Sequence, residues 1–267
     1  MRFSKWHGLG NDYLLVERAD AGAPLSPVLV RRLCDYHRGI GADGVLEVVA
    51  ADGPRAEIVI WNPDGSTAEL SGNGTRIVAR WLARRAGAEE VVVAVGPREV
   101  LARLRGGLLV EQELGEVSVS PPETLDVAGE AVEVTPVSVG NPHAVVRREP
   151  DRAELLRLGP LLERHPRFPD RTNVQLVRVD GPHDLSVGVW ERGAGETLAS
   201  GTSACAAAAA AIAGGWCESP VTVHLAGGDL AVAIDGARRA TLTGPAQEIC
   251  RGEIAAELLA ETRTSGR

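Results

Sequence analysis

Ser71 and Ser200 each stand before a glycine at the start of a helical run, in ELSGNGTRIVARW (69–81) and LASGTSACAAAAA (198–210). A serine there is a helix cap, its oxygen accepting from an unsatisfied N–H of the first turn. The same helix end carries free N–H groups and about half a positive charge, which suits a carboxylate or a phosphate. A hydroxyl so placed can also transfer a proton if a neighbouring base takes its own. Neither stretch is a Walker loop, since no Gly-Lys-Ser/Thr follows, and neither is a Gly-x-Ser-x-Gly elbow. Singly, each is a plain cap. Their pairing points to a site.

The landmarks upstream of the two serines repeat. Trp61 and Trp190 each lie ten residues before the serine, in IVIWNPDGSTAELS (58–71) and VGVWERGAGETLAS (187–200). Asp43 precedes Ser71 by 28 residues and Asn173 precedes Ser200 by 27; Asn11 and Asn141 precede them by 60 and 59. Three landmarks in register describe an internal duplication, and its length means two similar domains and not a solenoid. Pro121–Pro122 and their turn-rich surroundings mark the join. The expected boundaries are 1–117 and 118–250, with a C-terminal segment, 251–267, that ends in a frayed tail. An asparagine taken singly forms turns. Asparagines at matched points of two repeats are candidate ligand contacts.

The elements that must position these residues are mostly strands: DYLLVE, VLEVVA, AEIVIWN, EVVVAVG and LLVEQEL are short β-rich runs between Gly, Pro and Asp. PLSPVLVRRLCDYH predicts a helix capped by Ser26, with Pro27 in the first turn. In GTRIVARWLARRAG, Ile77, Val78, Trp81 and Leu82 form the stripe of a buried helix face. Its twin TSACAAAAAAIAGG is apolar all round and belongs inside, where small alanines let strands approach. The expected architecture is α+β: an antiparallel-rich sheet wrapped around a central helix, built twice as pseudo-symmetric domains, with an active-site cleft between them.

The net charge of −8 speaks against a general nucleic-acid binder. No uncharged run is long enough for a membrane span and the N-terminus has no leader pattern, so a cytoplasmic protein is expected. The four cysteines, Cys34, Cys205, Cys217 and Cys250, form no C-x-x-C pair and no zinc spacing. They read as reduced thiols, and no metal or cofactor is expected.

HGLGNDY, RGIGADG, NPDGSTAELSGNGTR, GNPHAVV and ERGAGETLASGTSACA, in this order and spanning nearly the whole chain, resemble the diaminopimelate epimerase family. The resemblance implies a cofactor-free enzyme of two similar domains that inverts the α-carbon of diaminopimelate between the LL and meso forms. Two cysteines do the chemistry there: one thiolate removes the α-proton and the other thiol protonates the opposite face. It places those cysteines at Ser71 and Ser200. Cys205, inside the following helix, does not replace them. It also implies that His143 and Glu191 assist the two proton-transfer groups. Asn11, Asn62, Asn141 and Asn173 would hold the polar ends of the amino acid, Arg192 a carboxylate and Glu191 an ammonium. Gly72–Asn73 and Gly201–Thr202 would give helix-end N–H groups to the α-carboxylate. Gly44 stands where some members carry a substrate-contacting side chain, and here offers backbone at most. Glu196 reads as a supporting group.

A thiol with pKa near 8.5 is roughly 3% thiolate at pH 7. A serine hydroxyl is a far weaker acid, and each unit of difference costs about 1.4 kcal/mol. The expected function is therefore diaminopimelate epimerase chemistry, strongly impaired by the two serines. The alternatives are a diverged member racemising or eliminating on another amino acid, and a catalytically silent amino-acid-binding protein. The expected partner is the small-molecule amino acid, with a homodimer as the assembly to test.

Overall fold

A computed structural model describes residues 1–264, with side chains through residue 260. The chain divides into two compact units. Unit 1 comprises Met1–Gln112 and the residues from Pro245 onward; unit 2 is Glu113–Gly244.

In unit 1 the strands run, from one edge, Gln247–Glu253, Arg2–Gly8, Asn11–Glu17, Val45–Asp52, Arg55–Trp61, Glu90–Val95 and Arg98–Leu104. Two neighbouring pairs are parallel, Asn11–Glu17 with Val45–Asp52 and Arg55–Trp61 with Glu90–Val95. Parallel neighbours need a crossover, and helices Pro27–Cys34 and Gly72–Ala86 lie in those two connections. Unit 2 repeats the plan with Glu130–Ser138, Pro142–Arg147, Asn173–Gly181, Asp184–Glu191, Val221–Leu225 and Gly228–Ile234. Its two parallel steps are crossed by helices Arg152–Glu163 and Gly201–Ala213.

The duplication holds at the level of register. Leu14 pairs with Val45 as Ala144 pairs with Val174. Val45 pairs with Trp61 as Val174 pairs with Trp190. Ser71 and Ser200 each follow their Val by 26 residues. Tyr13 and His143, one residue before Leu14 and Ala144, therefore occupy equivalent stations.

Each sheet is buried on both faces. Along Asn11–Glu17, Tyr13 and Leu15 join the core of the central helix with Ile77, Val78 and Leu82. Leu14 and Val16 face the other way, onto Val30, Leu33 and Ile254. In unit 2, Ala144, Val146 and Leu176 pack against Leu155, Leu158 and Leu162 of the outer helix. Helix Gly201–Ala213 is buried all round from Gly201 to Ala211, as its alanine run predicts. No helix among the described residues is long and apolar enough to cross a membrane.

Two expectations need correction. Residues 245–250 do not close the second domain, and the segment from 251 is not a separate appendage. Strand Gln247–Glu253 pairs antiparallel with Arg2–Gly8, and the buried Arg80 guanidinium donates to the carbonyls of Ala246 and Gly107, so the chain returns to unit 1. Helix Ala256–Thr264 follows and packs Leu258 and Leu259 on the outer core; of the expected frayed tail, 265–267 lie outside the described residues. Also, the helix capped by Ser26, whose oxygen accepts from Leu29 N, stops at Cys34 and does not reach His37. The Asp35 carboxylate takes the N–H groups of His37 and Arg38 at 2.8 Å and turns the chain out.

Candidate active-site halves

In unit 1, Ser71 caps helix Gly72–Ala86 from an extended backbone, its Oγ accepting from Gly74 N at 3.0 Å. The same oxygen lies 3.1 Å from the Tyr13 hydroxyl. Beside it runs a chain of amides. Tyr36 Oη donates to Asp43 Oδ1, Asn11 Nδ2 donates to Asp43 Oδ2, Asn73 Nδ2 donates to Asn11 Oδ1, and Arg76 donates to Asn73 Oδ1. A carboxylate at one end and a buried guanidinium at the other fix which way each amide points. Gln112, fully buried, donates to Gly72 O and accepts from Thr75 Oγ, bracing the first turn. Asn62 bonds within its own turn, to Ser66 Oγ at 2.9 Å, and makes no bond to this network.

In unit 2, Ser200 is buried and extended but makes no side-chain cap bond. Asn173 is a stitch: its Nδ2 donates to Pro142 O, and its Oδ1 accepts from Arg192 N. It ties the turn before His143 to the end of Asp184–Glu191. His143 Nε2 lies 2.9 Å from Asn141 Oδ1. Burial is the main reason its imidazole is pushed down to about 3; nearby Gln175 favours the protonated ring and Arg192 opposes it. The ring is neutral at physiological pH. Glu191 accepts from Thr197 Oγ at 2.8 Å, while the exposed Arg192 guanidinium rests on Asp170 O. Glu196 is gripped by Arg152 in a two-pronged pair and is turned to that use. Gln175 donates to Ser203 Oγ, inside the first turn after Ser200.

The first N–H groups of a helix have no intrahelical partner. Those of Gly72 and Asn73 in one unit, and of Gly201 and Thr202 in the other, suit an anion. The repeated tryptophans serve structure instead. Trp61 Nε1 donates to buried Glu47 at 2.9 Å, and Trp190 Nε1 to buried Glu163 at 2.8 Å. All four cysteines are free thiols. Cys34 is pushed up to about 12, chiefly by burial. Cys205 lies buried within its helix and Cys217 donates to Gly181 O.

Sequence reasoning overlooked Tyr13, Asp43's bracing role, Gln112 and Gln175. The signal for Tyr13 was available in the repeat itself, because its counterpart His143 was singled out. Gly44 also finds its reason here. A Cβ there would lie 2.5 Å from Trp61 O and 2.6 Å from the Tyr13 ring, so backbone and ring together leave no room for a side chain at position 44.

The sequence pattern of the family described as Diaminopimelate epimerase matches residues 3–118 and 135–249, one stretch in each half. The chain is 38% identical to the diaminopimelate epimerase of Pelotomaculum thermopropionicum over 275 residues, covering 95% of this chain and 98% of the relative. It is 41% identical to that of Moorella thermoacetica over 278 residues, covering 95% and 99%. Among solved structures, a predicted epimerase from Pseudomonas aeruginosa superposes with a TM-score of 0.73 at 17% identity, covering 96% and 99% of the two chains. A hydroxyproline epimerase from Agrobacterium vitis does so with 0.70 at 17% identity, covering 96% and 92%. At such identity these two likenesses speak for the fold.

Proposed function

Because the chain belongs to the diaminopimelate epimerase family, we propose that it binds diaminopimelate and acts on its α-carbon by cofactor-free proton transfer. Ser71 and Ser200 stand in the two proton-transfer positions, one supplied by each unit. His143 and Glu191 assist them. Asn11, Asn73, Asn141, Asn173 and Arg192 orient the polar ends, and the N–H groups of Gly72–Asn73 and Gly201–Thr202 receive the carboxylate. Asn62 shapes the turn ahead of Ser71.

The observation that carries this reading is positional. Both serines occupy the N-cap position of the buried central helix of their repeat, 26 residues after equivalent strand positions. The same observation argues that the serine form is slow. No cysteine stands at either cap, and a hydroxyl gives up its proton far less readily than a thiol. The neutral His143 accepts a proton weakly for the same reason that burial keeps it neutral. The reading also places the protein in the cytoplasm, with a homodimer as the assembly that sedimentation velocity would test.

Solvent deuterium uptake at the α-carbon of diaminopimelate is the test. Little or none is expected for the chain as it stands, and recovery is expected for Ser71→Cys combined with Ser200→Cys. Absence of uptake in that double variant sinks the epimerase assignment. The bonds that Ser71 Oγ already makes favour a second reading, a binding protein without turnover; calorimetric binding of diaminopimelate with no exchange would select it. Racemisation of, or elimination from, a different amino acid by the serine form would select a diverged enzyme.

A further inference from the structure

We propose that Tyr13 is a positioning residue for the proton-transfer group at position 71, its phenol setting whether that group presents a proton or a lone pair. This rests on the reading that position 71 transfers a proton. Tyr13 lies on strand Asn11–Glu17 with its ring on the central-helix side, only 8% exposed. The missing side chain at Gly44 makes room for the ring. Its hydroxyl is 3.1 Å from Ser71 Oγ, which already accepts from Gly74 N.

Two hydrogen arrangements fit the same heavy atoms. When Tyr13 donates to Ser71, the serine hydrogen is free to point to a ligand. When Ser71 donates to Tyr13, a serine lone pair is free instead. Rotating two hydroxyl hydrogens exchanges the states. To give a proton the group must present its hydrogen to the ligand; to take one in the reverse direction it must already have lost its own, and a phenol that donates to it steadies that anion. Unit 2 is built differently. His143 fills the station equivalent to Tyr13, and Ser200 makes no side-chain cap bond. The device belongs to unit 1 alone.

A thiol at position 71 would report the phenol directly, because a donor to the thiolate stabilises the charged form. The experiment compares Ser71→Cys with Ser71→Cys plus Tyr13→Phe, both full-length. The rate of alkylation of the introduced thiol by iodoacetamide is followed against pH, read by mass spectrometry of the peptide that carries it. The expected result is a midpoint about one pH unit higher without the phenol, a roughly tenfold loss of thiolate below it. An unchanged midpoint in a folded protein overturns the proposal. If Tyr13→Phe fails to fold, incorporation of 3-fluorotyrosine keeps the shape and makes the phenol a stronger donor. The midpoint should then fall, and no change overturns the proposal equally. No substrate enters this titration. Failure of the Tyr13 role is thereby separate from failure of the epimerase reading, which the deuterium assay of the double-cysteine variant decides.

Discussion

His143 Nε2 lies 2.9 Å from the side-chain oxygen of Asn141, two residues earlier in the chain. A carbonyl oxygen can only accept, so Nε2 carries the hydrogen and Nδ1 the lone pair. Nδ1 is buried without a well-aligned partner. With the ring held down at about 3 by burial, folding favours the neutral form, while the unfolded chain takes up a proton near pH 6.5. The stability from this group is full above pH 6.5 and is lost as pH falls from there toward 3. Between pH 6.5 and 5 the loss should be about 2 kcal/mol. Urea unfolding at the two pH values should show His143→Gln less stable at pH 6.5 but with a smaller drop. An equal drop in both proteins would refute the buried neutral imidazole.

Glu163 makes the opposite case. Burial opposes its ionisation, but the Trp190 indole, the Gly193 N–H and Arg171 outweigh burial and hold the carboxyl below its ordinary 4.5. Its contribution is present above pH 4.5 and disappears as pH falls through the lower folded value. Glu163→Gln keeps one acceptor oxygen where three donors converge on two, so at least one donor is stranded at a cost of about 1–3 kcal/mol. The variant should also lose part of the acid limb of the stability curve, with Trp190 fluorescence as the readout. A curve parallel to that of the parent below pH 4.5 would contradict the assignment.

Although the two serines share a station, their energetics differ. Ser71 Oγ accepts a first-turn N–H and Ser200 makes no such bond. Ser71→Ala should cost about 1 kcal/mol, the usual worth of an N-cap. Ser200→Ala should change the urea midpoint far less. Equal losses at the two sites would mean that Ser200 is a cap after all, and that the asymmetry between the units is absent in solution.

What could be seen in the chain beforehand was whatever is local or periodic. The strand runs, the Ser26 and Ser71 caps and the alanine helix each carry their own pattern, and the repeat ties the two halves together. What escaped depends on distant pairing. QEICRGE (247–253) has no alternation that marks a strand, and only Arg2–Gly8 and the Arg80 clamp make it one. Helix Arg152–Glu163 carries Pro160 in its interior, a residue that argues against a helix until the Asp151 cap and the Leu155, Leu158 and Leu162 face outweigh it. The site was legible as positions but not as directions. Spacing found Asn11, Asn141 and Asn173, but it could not say that Asn173 spends its amide on Pro142 and Arg192, nor that Asn62 turns to Ser66.

The two central helices solve one packing problem by different means, and that difference can be measured. Helix Gly72–Ala86 fills its core with Ile77, Val78 and Leu82, all fully buried. Helix Gly201–Ala213 presents alanine on every side, with Ala204 and Ala206 to Ala208 at zero exposure, so the strands of unit 2 press directly on it. Truncation should hurt the first helix and enlargement the second. Ile77→Ala removes buried methyl groups and leaves a cavity, at a cost of about 2–5 kcal/mol. Ala208→Leu must push strands apart and should cost about 1–3 kcal/mol or more, because close-packed cores resist added volume. The reciprocal change is informative. If Ala208→Leu melts within a degree or two of the parent, the alanine helix has slack around it, and the close approach of the strands cannot be what holds the first turn after Ser200 in place.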